Sequence, residues 1–255
     1  MKRVLDLFSG IGGFSLGLER TGGFETVAFC EIEKFPRQVL AKHWPKVPCY
    51  HDVTKLTGDI LKRDGISVDV ITGGFPCQDL SYAGKQAGMG KGTRSGLWYE
   101  IVRLIGELRP EYVIVENVAA LLSGPSERRG GWFGGVLGDL AECGYDAEWE
   151  NIPASAMGAP HRRERVWIVA YATEKRLAGK IHSEKHKKDF PHCSGASLLQ
   201  TSTYWLGSAP DSYALRDLDG FSRFMDRLNG CGNAVIPQIP ELIGNAILDA
   251  ERAAT

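Results

Sequence analysis

Short apolar runs alternate with periodic stretches along the first two thirds of the chain. The periodic stretches predict helices after residue 13 (Phe14, Leu16, Leu18) and over 98–108 and 133–143. The apolar runs predict strands over residues 3–8, 26–30, 68–72, 112–116 and 166–170. Strands that alternate with helices favour a doubly wound α/β fold with a mostly parallel sheet. The binding site of such a fold lies at the carboxyl ends of its strands.

The pattern changes after Tyr171. Residues 172–220 lack strong periodicity, and residues 175–188 contain six Lys or Arg and one acid. Periodic apolar positions return over 237–248 and predict a packed helix. We therefore expect a catalytic core interrupted by a small polar insert, with the core formed by residues 1–171 plus 227–255 and the insert by 172–226.

Composition narrows the class of protein. The chain has 255 residues, 43% of them hydrophobic and 24% charged, which is typical of a globular protein and not of a disordered, collagenous or coiled-coil chain. Its net charge is -1, so any nucleic-acid contact must come from a local basic patch. We find no apolar run of membrane-spanning length, no signal-peptide pattern and no Cys-x-x-Cys pair. We therefore expect a cytoplasmic protein with reduced thiols and no membrane contact.

A glycine-rich turn, Asp6–Gly13, follows the first predicted strand. Glycines let the backbone approach a nucleotide-like ligand, and Glu31 at the end of the next strand can accept hydrogen bonds from both hydroxyls of a ribose. The fingerprint G-x-G-x-x-G is not matched, because Phe14 and Ser15 follow Gly13. Sites for NAD, FAD and S-adenosylmethionine share this geometry, and a purely structural turn also remains open at this point.

Three further features carry candidate chemistry. Cys77 lies on a Gly/Pro-shaped turn after a strand, where a nucleophile would be placed, although most free cysteines are small buried hydrophobes. Glu116 ends an apolar strand, so burial should raise its pKa, although such acids are often caps or ion-pair partners. The arginines of 161–168 could bind base edges or phosphates, or could simply face solvent.

In combination, these motifs resemble the cytosine-carbon-5 DNA methyltransferases. The match covers residues 3–171 and 227–248, and the pairing of Pro-Cys-Gln with Glu-Asn-Val is highly specific. The motifs in chain order are Phe-x-Gly-x-Gly-Gly from Phe8, an acid at Glu31, Pro76-Cys77-Gln78, Glu116-Asn117-Val118, Arg163-x-Arg165 and Gly232-Asn233-Ala234-Val235.

The resemblance implies that the cofactor is S-adenosylmethionine, with S-adenosylhomocysteine as its product. Phe8 would pack against the adenine, Glu31 would hold the ribose hydroxyls and Asp52 would bind the adenine amine. The full cofactor set that it implies is Phe8, Ser9, Gly10, Ile11, Gly12, Gly13, Glu31, Ile32, Asp52, Val53, Pro76, Leu97, Asn233 and Ala234.

The resemblance also implies the reaction. Cys77 would attack carbon-6 of a cytosine flipped out of the duplex, while Glu116 hydrogen-bonds ring nitrogen 3 and the exocyclic amine. Arg165 would contact the carbonyl oxygen of the base, with Arg163 beside it. Carbon-5 then takes the methyl group, and loss of its proton releases Cys77.

Double-stranded DNA is the implied partner. Residues 78–96 contain five glycines and match the mobile loop that closes over DNA in the family, where its cations would meet phosphates. The basic part of the insert would follow the DNA backbone. The expected DNA-binding residues are Gln78, Ser81, Lys85, Lys91, Arg94, Lys185, Lys187 and Lys188. We expect a monomer, and the sequence leaves open whether a cognate restriction endonuclease exists.

The chain departs from the family in two places. His161 stands where the family usually has Gln, and the insert is shorter than most recognition domains and lacks their Thr-Pro-x-Glu stretch. The chain therefore looks more like the short phage and prophage members.

We expect no bound metal. The insert contains three histidines and a cysteine, but their spacing matches no standard zinc finger. These residues are His182, His186, His192 and Cys193.

Three alternatives compete with DNA methylation. The tRNA-methylating branch shares the catalytic motifs, but its Cys-Phe-Thr signature is absent from this sequence. A non-catalytic or partner-dependent DNA-binding relic would explain the short insert, but it would have no reason to keep Cys77, Glu116 and Arg165 together. A nicotinamide-dependent oxidoreductase would leave Pro76-Cys77-Gln78 unexplained.

Overall fold

A seven-stranded sheet forms the centre of the computed structural model, which describes residues 1–76, 95–122, 131–159, 161–173 and 234–253. The strands are β1 (Lys2–Leu7), β2 (Phe24–Cys30), β3 (Cys49–Tyr50), β4 (Val70–Gly73), β5 (Tyr112–Val118), β6 (Tyr145–Pro153) and β7 (Glu164–Ala172). Their order is β3-β2-β1-β4-β5-β7-β6. The first five are parallel, whereas β7 is antiparallel to both of its neighbours. The predicted doubly wound, mostly parallel α/β sheet is confirmed.

Helices cover both faces of the sheet. They are α1 (Gly13–Arg20), α2 (Lys34–His43), α3 (Gly58–Arg63), α4 (Trp98–Leu108), α5 (Gly131–Glu142) and α6 (Gln238–Ala253), with short 3-10 turns at Ser95–Leu97, Ala119–Leu122 and Ala154–Met157. Within the ranges that the structure describes, none of these helices is long and apolar enough to cross a membrane.

Strands β3 and β6 and helices α2 and α3 were not predicted from the sequence pattern. Strand β3 has only two residues, and α2 buries only Leu40, so neither produces an apolar period. Strand β6 lies at the edge of the sheet, where Trp149 and Glu150 are exposed. An edge strand with an exposed face lacks the continuous apolar run that marks a buried strand. The pattern thus identifies central strands better than edge strands.

Alternating residues of each strand contribute to two separate cores. Val4 of β1 lies in the core beneath α1 and α6, whereas Leu5 and Leu7 lie in the core beneath α4 and α5. This follows from the two-residue period of strands. In the first core, the rings of Phe14 and Trp167 meet edge to face at 5.4 Å. Leu16, part of the apolar pattern that predicts α1, is instead exposed.

The carboxyl-terminal segment returns to lie against α1. A β-carbon on Gly13 would collide with the carbonyl of Val235, and one on Gly17 would collide with the carbonyl of Pro237. The absence of side chains at these two positions therefore lets the segment preceding α6 approach the helix backbone. As a result, Ala234 lies near the glycine-rich turn although 221 residues separate it from Gly13 in the sequence. The proposed domain boundaries at 171 and 227 stay a prediction.

Candidate active site

The turn between β1 and α1 has an unusual backbone. Phe8, Gly10 and Gly12 all adopt positive φ angles, of 52°, 53° and 88°. A β-carbon on Gly12 would lie 2.7 Å from the ring of Trp44, so both the space and the angle require glycine there. Phe8 takes up the same left-handed region without being glycine, which costs conformational energy and is common at ligand sites.

Glu31 is joined to this turn through its carboxylate. Its Oε2 accepts a hydrogen bond of 2.7 Å from the backbone N–H of Gly10, and its Oε1 accepts one of 2.8 Å from that of Glu33. The residue is buried. Each carboxylate oxygen can accept more than one bond, so Glu31 can still receive two hydroxyl donors while its orientation is fixed.

Asp52 lies in the turn that follows β3. Its Oδ1 accepts hydrogen bonds from the backbone N–H of Thr54 at 3.0 Å and from its hydroxyl at 2.7 Å. The bond from the Thr54 side chain is the main reason that the pKa of Asp52 is lowered. The Oδ2 atom lies 3.6 Å from the Lys55 ammonium. Asp52 therefore stays ionised and presents one oxygen that can accept a bond from an amine.

Two apolar residues of the predicted cofactor set, Ile32 and Val53, directly follow these two acids in the chain. Phe8 and Leu97 are half-buried against the core beneath α4, and Val53 is buried in that core. Ile32, next to Glu31, is 67% exposed. Apolar residues beside carboxyl groups suit a ligand with a flat apolar part and polar edges.

Asp6 is a buried carboxylate that the sequence analysis did not select as a site residue. It accepts hydrogen bonds from the hydroxyls of Ser15 at 2.8 Å and Thr72 at 2.9 Å, and it is fully buried at the end of β1. Burial raises the pKa of Asp6 to about 7, although both hydroxyls oppose this shift. The hydroxyl of Ser9 donates to the Asp6 carbonyl at 2.5 Å. A single acid inside an apolar strand was the pattern that could have identified it.

A second acid, Glu116, lies two strands away in β5. Its Oε1 is 2.9 Å from Nε of Arg165 on the neighbouring strand β7. Burial raises the pKa of Glu116, and the charges of Arg165 and Arg163 oppose that effect without cancelling it. A β-carbon on Gly74 would lie only 3.1 Å from Oε2 of Glu116, so the turn after β4 approaches this carboxyl closely.

Asn117 links the end of β5 to the same turn. Its side-chain N–H donates to the carbonyl of Phe75 at 3.2 Å, and its side-chain oxygen accepts from the backbone N–H of Val118 at 2.8 Å. The side chain is buried. Asn117 thereby holds the backbone immediately before the half-buried Pro76. The sequence analysis quoted this residue in a motif but gave it no role.

Arg163 connects β7 to the carboxyl-terminal segment. Its Nη1 donates to the carbonyl of Ala234 at 2.8 Å, and its Nε is buried without a hydrogen-bond partner. Burial is the main reason that the pKa of Arg163 is lowered, and the charge of Arg165 adds to the shift. Arg163 therefore faces the turn carrying Ala234, while Arg165 faces Glu116.

Several predicted site residues lie outside the described ranges. The nucleophile candidate, one cofactor residue and all of the DNA-binding candidates belong to this group, namely Cys77, Asn233, Gln78, Ser81, Lys85, Lys91, Arg94, Lys185, Lys187 and Lys188. The His and Cys residues considered for zinc in the insert also lie outside them. In the described part of the chain, no group of three or more His, Cys, Asp or Glu could hold a metal ion.

The remaining candidates lie at the end of the sheet where the parallel strands have their carboxyl ends. The glycine-rich turn follows β1, Glu31 follows β2, Pro76 follows β4 and Glu116 lies in β5. Because β2, β1, β4 and β5 are neighbours and parallel, their carboxyl ends are adjacent. This end of the sheet thus carries Glu31 and Asp52 on one side and Glu116 with two arginines on the other.

Comparisons with known proteins identify a family and relatives of this chain. A family model for C-5 cytosine-specific DNA methylases matches residues 2–206. The Type II methyltransferase M2.BsuMI of Bacillus subtilis is 37% identical over 208 residues, which are 80% of this chain and 50% of that protein. M.Sau3AI of Staphylococcus aureus is 35% identical over 183 residues, 66% of this chain and 43% of that protein. The chain spans about half the length of the curated relatives it matches.

Solved structures give the same picture of the fold. A protein described as a prophage-encoded DNA modification methyltransferase (E. coli) superposes with a TM-score of 0.57 at 29% identity, over 69% of this chain and 48% of that one. DNMT2 of Spodoptera frugiperda superposes with a TM-score of 0.54 at 23% identity, over 68% of this chain and 49% of that one. The second likeness concerns the fold alone.

Proposed function

Because the chain belongs to the C-5 cytosine-specific DNA methylases, we propose that it transfers a methyl group from S-adenosylmethionine to carbon-5 of a cytosine flipped out of double-stranded DNA. The observation that carries this proposal is the buried Glu116 beside Arg165, packed against the turn that leads to Cys77. A carboxyl that holds its proton in a buried site can donate it to a ring nitrogen.

The cofactor half of the site fits S-adenosylmethionine, which would supply an electrophilic sulfonium methyl group. Glu31 would accept hydrogen bonds from the two ribose hydroxyls with lone pairs that its backbone partners leave free. Asp52 would accept a bond from the adenine amine at Oδ2. The other cofactor residues proposed from the resemblance would line the same site, and Asn233 among them lies outside the described ranges.

In the base half, the chain's own groups would move the proton and the electron pair. The Cys77 thiolate attacks carbon-6 and forms a carbon–sulfur bond, while Glu116 gives its proton to nitrogen 3. The electron-rich carbon-5 then takes the methyl group. A base, which we propose to be water, removes the carbon-5 proton, and the carbon–sulfur bond breaks to release the thiolate. Nitrogen 3 then returns its proton to Glu116, which restores the ring and the acid.

The arginines complete the charge balance of this half. Arg165 would contact the carbonyl oxygen of the cytosine while it pairs with Glu116. Arg163 contacts the carbonyl of Ala234, and we propose that it keeps the carboxyl-terminal edge of the cofactor pocket next to the base site. The two halves of the site would thereby be joined through Arg163.

DNA recognition is proposed for residues 172–226 and for the glycine-rich stretch after Cys77. The cations in both stretches would contact phosphates, which position the protein on DNA without specifying a sequence. We propose a monomeric cytoplasmic enzyme that modifies double-stranded DNA. Two of its relatives are named Type II methyltransferases.

Bisulfite sequencing tests the proposal directly. A bacterial host without cytosine methylation would express the wild-type chain, Cys77→Ala or Cys143→Ala, the last as a control thiol on the surface of the core. We expect protected cytosines in one fixed short context with the wild type and Cys143→Ala, and none with Cys77→Ala. Protection by Cys77→Ala would contradict the nucleophile. Transfer to RNA and not to DNA would contradict the substrate.

A further inference from the structure

Two side chains of helix α4 hydrogen-bond to three backbone groups of the segment from Val53 to Gly58. Nη2 of Arg103 donates to the carbonyls of Val53 at 3.0 Å and Leu56 at 2.8 Å. Two residues further on, Oε2 of Glu107 accepts a hydrogen bond of 2.7 Å from the backbone N–H of Gly58. These contacts join elements about 50 residues apart in the sequence.

The guanidinium of Arg103 is itself fixed by two acids of its own helix. Its Nε donates to Glu100 at 2.9 Å and its Nη1 donates to Glu107 at 2.8 Å. The Arg103 side chain is partly buried. A planar guanidinium can engage two carboxylates and two carbonyls together, which the single ammonium of lysine cannot do with the same geometry.

The backbone that Arg103 holds is the turn that presents Asp52. The carbonyl of Asp52 accepts hydrogen bonds from the backbone N–H groups of Lys55 at 3.1 Å and Leu56 at 3.2 Å. The carbonyl of Leu56 in turn accepts from Arg103. Arg103 is therefore linked to the backbone of Asp52 through Leu56, whose carbonyl accepts from Arg103 and whose N–H donates to Asp52.

We propose that Arg103, supported by Glu107, is a positioning residue that sets where the Asp52 carboxylate meets the adenine edge of the cofactor. Arg103 thereby determines how strongly the pocket prefers a purine that carries a 6-amino group. This inference rests on the function proposed above, in which Asp52 accepts a bond from that amine.

The test compares two ligands by titration calorimetry. One is S-adenosylhomocysteine, and the other is its desamino analogue, in which hydrogen replaces the 6-amino group. The variants are Arg103→Met, Asp52→Asn and the double variant, with Arg109→Met as the control. Arg109 directly follows the same helix, and its guanidinium donates to the Cys143 carbonyl.

We expect the wild type and Arg109→Met to prefer S-adenosylhomocysteine. Arg103→Met should weaken binding of that ligand by about tenfold and change binding of the analogue much less. The preference for the amine should shrink as far as it does in Asp52→Asn, and the double variant should lose nothing more. A purely structural role would weaken both ligands equally.

The inference is overturned if Arg103→Met has the same melting temperature as Arg109→Met and keeps the wild-type preference between the two ligands. It is also overturned if Arg103→Met weakens binding of both ligands alike. Arg103→Lys should give an intermediate preference, and this milder variant decides the matter if Arg103→Met does not fold. A wild-type protein that binds both ligands equally would instead contradict the role of Asp52 in the proposed function.

Discussion

Oε1 of Glu116 lies 2.9 Å from Nε of Arg165, and yet the pKa of Glu116 is raised. An adjacent cation alone would lower the pKa of a carboxyl. Here the loss of hydration outweighs the attraction, because Glu116 is buried in the sheet. The carboxyl can therefore remain protonated at a higher pH than a free glutamate while an arginine fixes its orientation.

Removal of this cation should raise the pKa of Glu116 further. In Arg165→Met, burial persists and the main opposing charge is lost, so the titration of the carboxyl should move to higher pH. Carbon-13 NMR of labelled glutamate side chains measures it. Arg162→Met, which removes an exposed arginine three residues earlier, should leave the titration in place. A downward movement in Arg165→Met would contradict the assignment of Arg165 as the main charge that lowers this pKa.

Gly74→Ala should lower kcat by displacing the Glu116 carboxyl. The new methyl group would lie 3.1 Å from Oε2, which is closer than packed atoms normally approach. A misplaced catalytic group costs about 10- to 100-fold in rate. The affinity for S-adenosylhomocysteine should change less than twofold, roughly the limit for a site the methyl group does not touch.

Gly138→Ala is the matched control for this substitution. A β-carbon on Gly138 of α5 meets nothing within 4 Å. The change should leave kcat unaltered and raise stability by up to about 1 kcal/mol, since alanine favours helix over glycine. Equal kcat in Gly74→Ala and Gly138→Ala would contradict the role of the close approach at Glu116.

The sequence predicted the parts of the site that single strands present. Glu31 and Glu116 each end an apolar run, so their place at the sheet edge follows from local pattern alone. Gly10 and Gly12 follow the first predicted strand, so the pattern also predicted a turn there that contacts a ligand. The structure adds the physical need for Gly12, because Trp44, 32 residues away, fills the space where a side chain would be.

Contacts between distant segments could not be predicted in this way. Arg163 reaches Ala234 across 71 residues, and Asp6 meets Thr72 across 66. Nothing in the local sequence of either residue specifies its partner, because each contact depends on how the whole sheet is ordered. Gly13 was assigned to the cofactor from the motif, whereas the structure also gives it a packing role beneath Val235.

Glu31→Ala should weaken binding of S-adenosylmethionine by about tenfold or more, because a charged acceptor for two hydroxyls is lost. The bonds to Gly10 and Glu33 are lost with it, so the turn also becomes less ordered. Titration calorimetry measures the affinity, and DNA binding measured without cofactor should not change. Glu25→Gln, which changes an exposed acid on the strand that precedes Glu31, should bind like the wild type. Unchanged affinity in Glu31→Ala would contradict the ribose assignment.

Asp6 should make the free energy of unfolding depend on pH. Burial raises its pKa to about 7 in the folded protein, whereas an unfolded aspartate titrates near pH ~3.9. Below about pH 4 both states hold the proton, and the contribution of Asp6 to stability is complete. As the pH rises from about 4 to about 7, only the unfolded state ionises, so stability falls by up to about 1.4 kcal/mol per pH unit. Above that range both states are ionised and the loss is complete.

Asp6→Asn should remove this dependence. The amide is close to the carboxyl in shape and can pair with the hydroxyls of Ser15 and Thr72 without ionising. Urea unfolding of both proteins from pH 4 to 8 should give a stability difference that grows in favour of Asn up to about pH 7 and is then constant. Asp59→Asn, at an exposed position of α3, should follow the wild type at every pH. Parallel curves for the wild type and Asp6→Asn would show that Asp6 ionises alike in both states.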